Sequence, residues 1–262
     1  MSQTQPLPRS TGFRKIKELL PEFLKSPLRR VYLTMSFARP VFIAPHYCPV
    51  CQTGLSRFKE VEWKDTRCVF CDSDTRQRLA WSFFWQRTKL FDGKQKRMLH
   101  VAPEPQFAER LSKLIGHGYV AADLLNPGVD VRLDITQIPF PEDSFDVIVC
   151  SHVLEHVPND RQAMREFVRV LKPDGWAMIM IPCFPDRGPT FEDFSVTDPA
   201  ERLRLFMQED HVRLYGNDFV DRLKESGFKV QVYHASDFMS PSEITRLNIT
   251  AHSGDVFLCT KQ

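Results

Sequence analysis

Apolar and polar positions along the chain change period several times. In "FRKIKELLPEFL" and "SPLRRVYLTMSFARPVF", Ile16, Leu19, Leu20, Phe23 and Leu24 recur at helical spacing with basic residues between them. Pro21 and Pro27 interrupt that pattern, so short amphipathic helices are expected, behind a polar, Pro-containing stretch over residues 1–10 that reads as disordered. The stretch "SDTRQRLAWSFFWQRTKLF" opens on Ser and Asp, holds no Gly or Pro, and repeats Leu79, Phe83, Phe84 and Leu90 on a helical period; it predicts a helix leading into the main domain. From Met98 onward strands and helices alternate. "MLHVA", "GYVAADL", "VDVRLDI", "SFDVIVCS", "GWAMIMIP", "FKVQVYH" and "GDVFLCT" read as strands, while "PQFAERLSKLIG", "DRQAMREFVRVLK" and "NDFVDRLKESG" read as helices. The order predicts an α/β fold, a doubly wound sheet whose last strand forms a hairpin-like antiparallel edge.

Composition narrows the class. With 262 residues, 42% of them hydrophobic and 21 of them Phe, the chain can build one medium domain with a small appendage. No apolar run approaches the ~18 residues of a membrane span, and the first residues lack a signal-peptide pattern, so a cytoplasmic location is expected. Cys150, Cys183 and Cys259 stand alone within apolar runs, as buried thiols of a reducing compartment do. Charge is unevenly spread: residues 1–97 carry 19 Lys and Arg against 8 Asp and Glu, and residues 98–262 carry 16 against 25. The basic front half is suited to an anionic partner or to docking on the acidic half of its own chain, and the arm over residues 11–45 reads either as packed on the body or as a peripheral membrane contact.

The other four cysteines form two knuckles, "YCPVC" and "RCVFC", which place Cys48, Cys51, Cys68 and Cys71 as two CxxC pairs with sixteen residues between them. That separation lets four thiolates surround one tetrahedral Zn²⁺, and the intervening Gly turn and alternating pattern suit a zinc ribbon. Four thiolates leave no open position, so the metal would be structural; a redox CxxC is the competing reading. Arg76 and Arg78 follow the second knuckle, where they could meet an anionic ligand or pair with carboxylates.

The segment "LDITQIPFPEDSFDVIVCSHVLEHVPNDRQAMREFVRVLKPDGW" resembles the central block of class I S-adenosylmethionine-dependent methyltransferases of type 11, and the likeness extends over about residues 97–262. The ribbon with its "CDSDTRQR" helix resembles an N-terminal extension found in an uncharacterised bacterial branch of that group. The resemblance implies a Rossmann-like seven-stranded sheet and divides the chain into a basic helical arm (1–46), a zinc ribbon (47–74) and a methyltransferase domain (75–262) with a lid insertion at about 183–212. In the family the first strand ends in an acid followed by GxGxG; here those positions hold His100, Ala102, Glu104 and Gln106. We read "HVAPE" as a variant cofactor loop in which Glu104 replaces the missing acid opposite the cofactor's ammonium. By the same resemblance Asp123 takes the ribose hydroxyls, Asp134 and Ile135 the adenine, and Ser151 lies at the lip facing the methyl group.

Methyl transfer needs an aligned nucleophile and, for a hydroxyl or a protonated amine, a base. His152 and His211 are the candidate bases. His211, Arg213 and Tyr215 alternate, so an extended segment points all three one way: toward a polar or anionic substrate, or into the lid as a brace. His156 joins Arg213 and Tyr215 as a candidate substrate residue. The spacing of His152, Glu155 and His156 also resembles the divalent-metal motif of plant small-RNA 2′-O-methyltransferases, although the same "LEHV" occurs in relatives without a metal. The resulting expectation is a methyltransferase acting on oxygen or nitrogen of a small polar acceptor such as a sugar or glycan intermediate. An RNA methyltransferase that uses the basic zinc-ribbon half, and a non-catalytic zinc-containing adaptor, are the alternatives.

Overall fold

The computed structural model describes residues 31, 33–61 and 65–262. The helical pattern predicted over residues 13–24, and with it most of the arm, lies outside the described residues. Among those described, no helix is long and apolar enough to cross a membrane.

The molecule is built on a seven-stranded sheet of β6 (Met98–Val101), β7 (Tyr119–Asp123), β8 (Val131–Arg132), β9 (Phe145–Ser151), β10 (Leu171–Met180), β13 (Phe228–Tyr233) and β14 (Val256–Lys261), in the order β13-β14-β10-β9-β6-β7-β8. Three helices make the crossovers: α2 (Pro105–Ile115) from β6 to β7, α3 (Asp160–Val170) from β9 to β10, and α5 (Phe219–Glu225) from β10 to β13. The central pairs are parallel, and β14 is antiparallel to both of its neighbours. The last strand is therefore antiparallel, as its sequence predicts, but it is not the edge: it inserts between β10 and β13, which completes the doubly wound α/β architecture.

Strand alternation sends neighbouring residues to opposite cores. Leu99, Val101, Ile148, Cys150, Ala177 and Ile179 face the core closed by Met164 and Phe167 of α3. Met98, Val147, Val149, Met178 and Met180 face the other core, shared with α2 and with the 13-residue helix α1 (Thr75–Arg87). Asp74 caps α1, its side chain accepting from the Gln77 amide while the Gln77 side chain accepts from the Asp74 amide.

The ribbon is part of that second core. Its strands β1 (Ala38–Arg39), β2 (His46–Cys48) and β3 (Thr53–Leu55) form one small sheet, and β4 (Lys59–Glu60) pairs with β5 (Thr66–Arg67). Val50, Leu55 and Phe58 pack with Leu79, Phe83 and Phe84 of α1. Arg78, for which both an anionic ligand and a carboxylate partner were open from the sequence, has neither among the described residues and is wholly buried. Its guanidinium donates to the carbonyls of Thr66, Ser73, Leu247 and Asn248 and to Thr66 Oγ1, at 2.7–3.1 Å. One cation thus ties the ribbon to the end of α6 (Pro241–Leu247), with Phe58 stacked under its charge at 4.1 Å.

Candidate functional site

The sheet order reverses between β6 and β9, and a crevice of about 670 Å³ opens there over the carboxyl ends of β6, β7 and β8. This is where an open parallel sheet binds ligands. Ala102, Asp123, Asp134, Ile135, His152 and His156, all singled out from the sequence, line it together.

The loop after β6 makes its turn without glycine. Ala102 adopts φ +45°, the left-handed region that glycine enters freely, and its amide is fixed by a 2.7 Å bond to the Ala122 carbonyl. Among the described residues, Asp123 uses one oxygen: Oδ1 accepts from the amides of Leu125 and Asn126 at 2.7 and 2.8 Å, which leaves Oδ2 for a ligand. Asp134 Oδ1 likewise accepts from the amide and hydroxyl of Thr136, both at 2.8 Å, while Ile135 supplies an apolar wall.

Three expected cofactor residues sit elsewhere. His100 shares the face of Met98, so alternation drives it into the ribbon-side core, against the rings of Phe107 and Tyr119. Its Nδ1 meets the Tyr119 hydroxyl at 2.8 Å, and burial pushes its pKa down to about 3. Glu104 does not line the crevice; it lies 3.9 Å from both Arg76 and His100, its pKa raised by burial against the opposing pull of Arg76. Ser151 ends β9 half-buried and does not line the crevice either.

Of the two roles open to Arg213 and Tyr215 from the sequence, the structure gives them that of a brace. Arg213 and Tyr215 are both 1% exposed and point inward. Arg213 donates to Glu192 at 2.9 Å and to the carbonyls of Leu154, Val157 and Pro158, while the Tyr215 hydroxyl donates to Asp160 at 2.8 Å. Arg222 joins the same carboxylates at 3.1 Å, so every charge in the cluster is met and none faces a substrate. These residues brace the lid strands β11 (Phe191–Glu192) and β12 (Arg213–Leu214) against the turn at 154–158.

The histidines do gather at the crevice. His152, at φ +55°, lines it and places Nδ1 3.3 Å from Glu155 Oε1. Burial opposes the charge of Glu155, yet His152, followed by His156, holds its carboxyl below the ordinary range. His211 packs its ring on that of His156 with centroids 4.7 Å apart, and burial lowers its pKa. Sequence reasoning missed Asp210, Asn159, Leu124 and Leu125, which also line the crevice. Only Asp210, adjacent to His211, carried a signal that could have found it.

Away from the crevice, the four knuckle cysteines converge. Cys48 and Cys71 Sγ lie 3.7 Å apart, and Cys51 and Cys68 Sγ 3.6 Å apart. Thiolates about 2.3 Å from a tetrahedral zinc stand about 3.8 Å from one another, so the cluster has the right size for that ion. Ser73 Oγ lies 3.2 Å from both Cys48 and Cys71 Sγ, accepting from the Cys71 thiol and able to donate its one hydrogen to Cys48.

The doubly wound seven-stranded sheet, with acids at the ends of its second and third strands, has the class I methyltransferase architecture. Residues 91–179 match the family described as a methyltransferase domain. The uncharacterised methyltransferase YcgJ of Bacillus subtilis is 37% identical over 76 residues, 29% of this chain and 28% of that protein. The demethylmenaquinone methyltransferase of Listeria monocytogenes is 36% identical over 69 residues, 26% of this chain and 29% of the relative. These alignments span less than a third of the relatives' length. Among solved structures, the YcgJ protein overlaps 64% of this chain and 88% of its own at 20% identity and a TM-score of 0.42; the [4+2]-cyclase SpnF overlaps 64% and 76% at 16% identity and 0.44.

Proposed function

We propose that the chain is an S-adenosylmethionine-dependent methyltransferase that acts on oxygen or nitrogen of a small polar acceptor, of the kind a sugar or glycan intermediate provides. The observation that carries this reading is the charge of the crevice. Asp123, Asp134 and Asp210 line it, and no Lys or Arg does among the described residues. Asp123 Oδ2 would take the ribose hydroxyls, and Asp134 with Ile135 the adenine. The bound cofactor would supply an electrophilic methyl group on a sulfonium; His152, already at the rim, would accept the acceptor's proton. An acidic rim suits a neutral or cationic acceptor and repels a phosphate backbone, which sets the small-molecule reading ahead of RNA. Zinc on the four cysteines would be structural. Seven unbridged cysteines support a reducing, cytoplasmic setting.

Calorimetric titration with S-adenosylmethionine and S-adenosylhomocysteine tests the reading. Micromolar binding is expected, and its absence in folded, zinc-loaded protein would leave the adaptor reading standing. RNA binding that weakens steeply with salt, together with activity on RNA, would replace the small acceptor.

A further inference from the structure

Glu155 is a buried carboxylate that no hydrogen-bond donor among the described residues satisfies. Its side chain is 1% exposed, and neither oxygen has a hydrogen-bond partner; the 3.3 Å approach of His152 lacks hydrogen-bond geometry. An ionised group so placed is costly unless a positive charge meets it. Two imidazoles stand beside it. Glu155, His156 and His211 each bring one donor atom within 4.8 Å of the others. His211 Nδ1 is hydrogen-bonded to the Phe206 carbonyl oxygen at 3.0 Å, and His156 Nδ1 lies 3.2 Å from Asp210 Oδ2, a charge contact rather than a hydrogen bond. An oxygen acceptor at Nδ1 fixes the hydrogen there and leaves the Nε2 lone pair free, which is how a ligating histidine is held.

We propose that Glu155, His156 and His211 bind a divalent transition-metal cation at the edge of the crevice. One carboxylate and two neutral imidazoles form a mixed oxygen and nitrogen set suited to Mn²⁺, Fe²⁺, Co²⁺ or Zn²⁺. His211 takes the place that His152 holds in the sequence motif, because the lid folds it onto the 154–156 turn. His156 and Asp210 line the crevice, so positions the protein leaves open face that space and take an oxygen ligand from water or an acceptor hydroxyl. The identity of that oxygen rests on the methyl-transfer reading; the cation site does not.

The test is a Mn²⁺ titration of the zinc-loaded full chain followed by electron paramagnetic resonance, with S-adenosylhomocysteine binding measured on the same samples. Mn²⁺ avoids thiolates, so it reports on this site rather than on the ribbon. One Mn²⁺ per chain is expected. Binding should be lost in Glu155→Gln, and weakened about tenfold or more in His211→Ala and in Asp210→Asn, whose side chain is exposed and bears no packing load. Absence of Mn²⁺ binding by the wild type, or unchanged binding in the variants, overturns the site. Mn²⁺ binding without S-adenosylhomocysteine binding would instead refute the methyl-donor reading and leave the cation site intact.

Discussion

Asp123 performs two tasks with its two oxygens, and two substitutions separate them. Oδ1 accepts from the Leu125 and Asn126 amides and shapes the turn after β7; Oδ2 makes no hydrogen bond within the described residues and faces the crevice. Asp123→Asn keeps an acceptor for the turn but replaces the free carboxylate oxygen with an amide nitrogen. A charge-assisted bond to a ribose hydroxyl contributes about 1.5–3 kcal/mol, so S-adenosylhomocysteine should bind roughly 10- to 150-fold more weakly. The unfolding midpoint should hardly move. Asp123→Ala loses the same ligand bond and also releases two amides to water, for a further destabilisation of about 1 kcal/mol. Calorimetry gives the affinity and urea unfolding the stability. An Asp123→Asn affinity within twofold of wild type would refute the assignment of Oδ2 to the cofactor, and an Asn variant as unstable as Ala would refute the division of labour.

Other outcomes follow from the buried groups. Metal analysis should find one zinc per chain, lost in Cys48→Ser, and because the ribbon shares a core with the sheet, the loss should lower the melting temperature of the whole molecule; zinc retained in the variant would remove Cys48 from the ligand set. The pKa of His100 is held down to about 3 against an ordinary 6.5, so the folded state favours the neutral ring. Its stabilising contribution is complete above pH 6.5 and is lost as pH falls toward 3, with a slope of up to about 1.4 kcal/mol per pH unit. His100→Gln should flatten the stability–pH curve over that window, and a curve parallel to wild type would show that His100 is not its source.

Much of the sheet was legible because its strands are short apolar runs separated by amphipathic helices, and period alone distinguishes the two. The convergence of the four knuckle cysteines was legible because their spacing carries the geometry. Period could not say which side of a strand faces which neighbour. His100 was read toward the crevice, yet the register that sends Leu99 and Val101 to the α3 side sends His100 to the other. Arg213 and Tyr215 were correctly seen to share a side, but that side is the interior, since their partners Asp160 and Glu192 come from distant parts of the chain. The meeting of His156 and His211 was likewise hidden, because a lid fold brings together residues 55 positions apart.

Arg78 bears on the order in which the protein is made. The four clustered cysteines lie between residues 48 and 71 and are synthesised well before the chain reaches the end of α6. Two of the carbonyls that hold the Arg78 guanidinium belong to residues 247 and 248, 169 and 170 positions further along the chain. Until those residues arrive, Arg78 of a nascent ribbon keeps only its bonds to Thr66 and Ser73, beside an open apolar face. The segment at 247–248 therefore works as a latch that seals a module made long before it.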